Sequence, residues 1–194
     1  MLWKSTILIV AAILIAGAAP KPPASKPSAS KPAAAKSAPA KAAPAKATPS
    51  PVANFDARNP ASVVELLNTG GGKAAIARKD PDAVLVTVTS VAANFSLQFA
   101  ACDAQGRACK AVQFDYMEDK AGPTFAQLNA FNQTSATCRG TEDRSGKPHV
   151  LYSTLLFEDE PYDHFRTHVL AWTGCIGEFR NFLKDPSAYL ASAP

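Results

Sequence analysis

Residues 94–116, NFSLQFAACDAQGRACKAVQFDY, decide how the rest of the chain folds. Phe95, Leu97 and Phe99 alternate with Ser96, Gln98 and Ala100, and Val112, Phe114 and Tyr116 alternate with Ala111, Gln113 and Asp115. That period of two belongs to half-buried strands, and the short stretch between the two runs makes them a hairpin. If Cys102 faces Cys109, Phe99 meets Val112, Leu97 meets Phe114 and Phe95 meets Tyr116, so the large apolar groups share one face. By the same parity both cysteines fall on the opposite face. A slip of one residue would turn the aromatics to water. The register that closes a Cys102–Cys109 disulfide is therefore also the register that makes a core.

On the N-terminal side, Asn59 before Pro60 is a helix start, a cap followed by a first-turn proline. Val63, Val64, Leu66 and Leu67 supply a buried stripe, and Gly70, Gly71 and Gly72 stop the helix. A phosphate-binding glycine loop sits after a strand and opens a helix, whereas this run closes one. Strands at 74–78 and 84–89 follow, joined by a turn at Asp80-Pro81-Asp82. On the C-terminal side, Pro123 opens a helix with Phe125, Leu128 and Phe131 inward. Segments 136–142 and 149–157 then flank Arg144-Ser145-Gly146-Lys147 as a second hairpin. The last helix starts at Glu160-Pro161, with a stripe of Phe165, Val169, Trp172, Ile176, Phe179 and Leu183. The order α-β-β-β-β-α-β-β-α has hairpins and no β-α-β alternation, which predicts an α+β domain with helices packed on an antiparallel sheet. The domain is assigned to residues 53–185, and residues 186–194 to a C-terminal tail.

The first 52 residues are of another kind. Lys4 precedes the apolar run Thr6–Ala19, which ends in small residues, so residues 1–19 read as a signal peptide. A spanning helix needs about 20 apolar residues, more than this run has, although an uncleaved leader would anchor the chain. Residues 20–52 reduce almost entirely to Ala, Pro, Ser, Thr and Lys, with Lys21, Lys26, Lys31, Lys36, Lys41 and Lys46 at a constant spacing. Frequent proline forbids helix and sheet ladders, and with no apolar side chain larger than Ala before Val52 nothing offsets the entropy of ordering, so a disordered linker is expected. It reads either as a spacer or as a cationic grip on anionic polymer such as cell wall or lipid head groups. Lysines without interleaved aromatics give no base stacking, which disfavours nucleic acid. Seven of the 20 basic residues and none of the 16 acidic ones precede residue 52, so the remainder is weakly acidic. The net charge of +4 belongs to the linker and not to a basic surface on the domain.

Few residues carry a reaction signature. Beside Cys102 and Cys109, Cys138 and Cys175 form a second bridge or remain two buried thiols, and no C-x-x-C redox motif occurs. His164 and His168 are spaced i, i+4 on a helix, with Glu160 and Asp163 nearby, a spacing that can offer two imidazoles to one metal. They lack an H-E-x-x-H frame, and the acidic residues at that helix start already suit its dipole. Glu158, Asp159 and Glu160 lack calcium-loop spacing, and no serine sits in a G-x-S-x-G elbow. Gly174 and Gly177 cost the last helix about 1 kcal/mol each against Ala. They mark either close packing on the sheet or a seam where a second subunit's helix approaches, which would make a homodimer. Asn129 and Asn132 are unfavourable inside a helix, and either bond nearby backbone or line a polar groove for a peptide.

Several of these pieces together resemble the YbjN domain family of bacteria. They are the helix with a glycine stop, Cys102, Cys109 followed by Val112-Gln113-Phe114, the run Leu128-Asn129-Ala130-Phe131-Asn132, a hairpin and a closing aromatic helix. The resemblance spans about residues 55–185. It implies a fold similar to type III secretion chaperones and a role among sensory transduction regulators, with no catalytic residues and no cofactor. This chain departs from cytosolic members in its leader and Lys-Pro-Ala segment. The combined expectation is an exported, periplasmic or extracellular, non-enzymatic module that binds a protein or peptide. The alternatives are an envelope tether acting through the lysine segment and, more distantly, a metal protein or enzyme using His164 and His168.

Overall fold

The computed structural model describes residues 54–120 and 122–193, so the expected leader and the whole of the lysine-spaced linker lie outside the described residues. Helix α1 (Pro60–Thr69) is followed by β1 (Lys73–Lys79), β2 (Ala83–Thr89), β3 (Phe95–Ala100) and β4 (Ala111–Met117). Then come α2 (Phe125–Thr134), β5 (Arg139–Glu142), β6 (Pro148–Leu155), α3 (Tyr162–Lys184) and α4 (Pro186–Ser192). Several boundaries have a local cause. The Asn59 side chain accepts from the Ala61 N–H, and Pro60 presets the first turn of α1. Beyond its end, Gly71 has φ +90°, a conformation that L side chains resist. Thr124 and Gln127 form a reciprocal capping box at the start of α2.

All strand pairs are antiparallel, in the spatial order β1-β2-β3-β4-β6-β5. The central hairpin has the expected register, with Leu97 opposite Phe114 and Phe99 opposite Val112. That register is propagated outward. Val84 and Val86 lie opposite Phe99 and Leu97, and Tyr152 and Val150 lie opposite Phe114 and Tyr116. One face of the sheet is thereby continuous and apolar, and α3 crosses it. Phe165 and Trp172 stack on Phe114, while Phe179 and Phe182 meet Phe131 of α2. The other face carries exposed Thr87, Gln98 and Ser153 and half-buried Gln113, the division expected of an antiparallel sheet with helices on one side.

Several expectations are corrected. Cys109 is fully buried and Cys102 packs against the same core, so the cysteines do not sit on the outer face. Ala101, between β3 and Cys102, and Ala108, on the loop side of Cys109, take positive φ, and the alternation is broken there. Phe125 is 75% exposed, because it occupies the first position of α2, before the inward Leu128 and Phe131. Phe182, rather than Leu183, is the fully buried residue at the end of the α3 stripe. Residues 186–192 are not a loose tail. Asp185 caps and Pro186 starts α4, the pattern of Asn59-Pro60 again, and Tyr189 and Leu190 pack on the core. Gly174 and Gly177 do not pack on the sheet: a Cβ at either would meet nothing within 4 Å among the described residues.

Candidate functional site: a buried glutamate between two histidines

Leu156 is buried at the end of β6, and the chain then turns through Phe157–Asp159 to bring Glu160 back under the first turn of α3. The Glu160 side chain is only 1% exposed. His164 and His168, one helical turn apart on α3, stand over it with ring centroids 5.0 Å apart. His164 Nδ1 lies 3.2 Å and His168 Nε2 3.1 Å from the same oxygen, Glu160 Oε1. Neither ring nitrogen is aligned to donate to it, and both carboxylate oxygens lack a hydrogen-bond partner among the described residues. The far side of His168 is fixed from the sheet, where the Tyr152 hydroxyl of β6 lies 2.7 Å from Nδ1. Burial and the Glu160 charge push the Tyr152 phenol above its ordinary pKa, so it stays protonated beside the imidazole. The ligand atoms of Glu160, His164 and His168 all lie within 4.8 Å of one another. The i, i+4 spacing of the histidines was legible in the sequence, but Tyr152 was not, because only the sheet brings it to α3.

The other residues singled out from the sequence are placed separately. Cys102 is bonded to Cys109, and Cys138 to Cys175. The second bridge ties the start of β5 to the middle of α3. Two disulfides fit a non-reducing, exported compartment, and among the described residues no helix is long and apolar enough to cross a membrane. Asn132 is occupied: its side chain accepts from Gly140 N–H at 2.6 Å and donates to the Gly140 carbonyl at 2.9 Å. Asn129 is exposed on α2, and Gly174 and Gly177 are exposed on α3, so the structure does not bring these residues to the glutamate cluster as one site.

An apolar surface lies nearby along the chain. Leu155 and Phe157 are each 62% exposed. With Ala108, Lys110, Arg58, Leu156 and Glu158 they line a shallow concavity of about 520 Å³. Arg58 is already paired with Asp56 and Glu158, and the Asp56 hydrogen bond, together with the surrounding acids, raises its pKa. No protein-family model matches the chain, and no curated protein matches it either.

Proposed function

We propose that this chain is an exported, non-enzymatic binding module, chaperone-like or regulatory, that docks a protein or peptide partner at the concavity around Leu155 and Phe157. The observation that carries the reading is the pair of large apolar side chains left 62% exposed at and just beyond the C-terminal end of β6. Covering each recovers on the order of 1 kcal/mol or more of hydrophobic free energy, and Lys110 on the rim can orient a polar or acidic group of the partner. The leader-like N-terminus, the paired cysteines and the resemblance to the YbjN domain family support the same role in the bacterial envelope. A second reading has its own observation. Six lysines at constant spacing, in a segment with no acidic residue, suit a grip on anionic cell-wall or lipid polymer.

Affinity capture from native envelopes separates the two. The full chain, a Leu155→Ser/Phe157→Ser variant and a chain lacking residues 20–51 are compared, with circular dichroism to establish that the double variant is folded. Loss of a specific partner from the folded double variant alone supports the docking role. Salt-sensitive capture lost only on truncation supports the tether. Identical capture by all three chains overturns both.

A further inference from the structure

We propose that Glu160, His164 and His168 form a binding site for a first-row divalent transition-metal ion, zinc being the ion the donor set suits best. This site is independent of the docking surface, and its test does not depend on the binding-module reading. A tetrahedral ion with bonds of about 2.0–2.1 Å holds its ligand atoms about 3.3 Å apart. The two histidine nitrogens lie 3.2 and 3.1 Å from Glu160 Oε1, close to that edge length, while the whole set lies within 4.8 Å, so the two rings draw together as the ion binds. A metal-free cluster would be held by ring N–H donation, yet neither nitrogen is in line with the carboxylate, and both its oxygens are buried without a hydrogen-bond partner among the described residues. Burying a carboxylate that way is costly unless a cation is supplied. A shared ion accounts for the short distances and the missing alignment together.

The surroundings fit the same reading. The Tyr152 hydroxyl, 2.7 Å from His168 Nδ1, can hold the ring with Nε2 as the coordinating atom, the outer contact that metal-bound imidazoles ordinarily have. The His164 side chain is 56% exposed while Glu160 is 1% exposed, so an ion can enter from the His164 side and keep water at a fourth position. Two imidazoles and one carboxylate favour zinc or its transition-metal neighbours over calcium and magnesium, which prefer oxygen alone. All four cysteines are in disulfides and offer no competing thiolate.

The test uses the untagged full chain, stripped with chelator and then titrated with Co²⁺ followed by visible absorption, and with Zn²⁺ by calorimetry; Mg²⁺ and Ca²⁺ serve as controls. One equivalent of Co²⁺ should develop the absorption of a tetrahedral site, Zn²⁺ should displace it, and the alkaline earths should not. Tyr152→Phe should weaken Zn²⁺ binding about 10-fold, as loss of an outer-shell partner does. Glu160→Gln should abolish binding. Should that variant fail to fold, His164→Ala decides, since its ring is largely in solvent and its removal spares the core. Absence of saturable one-to-one binding by the unmodified chain, or undiminished binding by His164→Ala, overturns the proposal.

Discussion

At one edge of the sheet the Asn68 side chain of α1 accepts from Ala74 N–H at 2.7 Å and donates to the Ala74 carbonyl at 3.3 Å. At the other edge Asn132 of α2 does the same to Gly140, at 2.6 and 2.9 Å. Each ten-residue helix thus uses an amide as a one-residue substitute for a missing neighbouring strand. The outward N–H and C=O of that one edge residue are thereby satisfied within the chain. What differs is how each edge is secured beyond that bond. β1 has seven residues, a bulge between Ile76 and Arg78, and the charges of Lys73, Arg78 and Lys79. β5 has four residues and is held by the Cys138–Cys175 bridge and by the approach of Leu128, Phe131 and Phe179 to Gly140. A long edge can rely on its ladder and its charges, whereas a short one needs a covalent tie and a residue without a side chain.

The largest expected effect comes from breaking the covalent tie. Replacing Cys138 and Cys175 with Ala opens a loop of sequence separation 37 and should cost about 4 kcal/mol by loop entropy. The same change at Cys102 and Cys109, separated by 7, should cost about 2 kcal/mol. Denaturant unfolding measures both, and equal losses would show that the short edge does not lean on its bridge. Next is Gly140→Ala. Its Cβ would lie 3.0 Å from Leu128 Cδ2 and 3.2 Å from Phe131 Cδ1, so a loss of about 1–3 kcal/mol is expected. At the matching position on the other edge, Ala74 already carries a Cβ. An unchanged midpoint for Gly140→Ala would remove the packing argument.

Asn68→Ala and Asn132→Ala should each cost about 1 kcal/mol, with different local consequences. Amide exchange in β1 should quicken more after the first than exchange in β5 does after the second, because the bridge still holds β5; the reverse order would break the comparison. The smallest effects are pH-dependent. The backbone amide of Lys147, then the Ser145 hydroxyl, hold the Asp143 carboxyl at about 2, below its ordinary value near 3.8. A lowered carboxylate pKa stabilises the fold above the unfolded value, so this share is kept at neutral pH and lost as pH falls from about 4 to 2. Burial, then the hydrogen bond with Glu178, push the Tyr189 phenol up to about 12. Its contribution is complete below pH 10 and lost as pH rises toward 12, where α4 should detach. Side-chain shifts of these two residues followed by NMR check both windows.

The two hairpin loops show how far local sequence reaches. Asp103-Ala104-Gln105-Gly106-Arg107 and Asp143-Arg144-Ser145-Gly146-Lys147 are the same turn. In each, the aspartate carboxylate accepts from the N–H groups two and four residues on, and the glycine has positive φ. The repeat D-x-x-G-basic was present in the sequence and would have located both turns. Likewise Asp185-Pro186 carried the signal for α4 that Asn59-Pro60 carried for α1. At the glutamate cluster, the helix spacing of His164 and His168 was legible, but the burial of Glu160 depends on the path of the chain from β6 into α3.

The sequence by itself determined the α+β class, the strand order along the chain, the register of the central hairpin and its disulfide. Periodicity, caps and turn residues act within a few positions of one another, and such information is complete locally. Only the tertiary structure decided that β6 lies beside β4 and leaves β5 at the edge, that Cys138 reaches Cys175, that Asn132 is spent on Gly140, and that Tyr152 meets His168. Each of those joins residues on different elements. They meet because β6 offers Val150 and Tyr152 to the core while four-residue β5, with Gly140, has less apolar surface to bury.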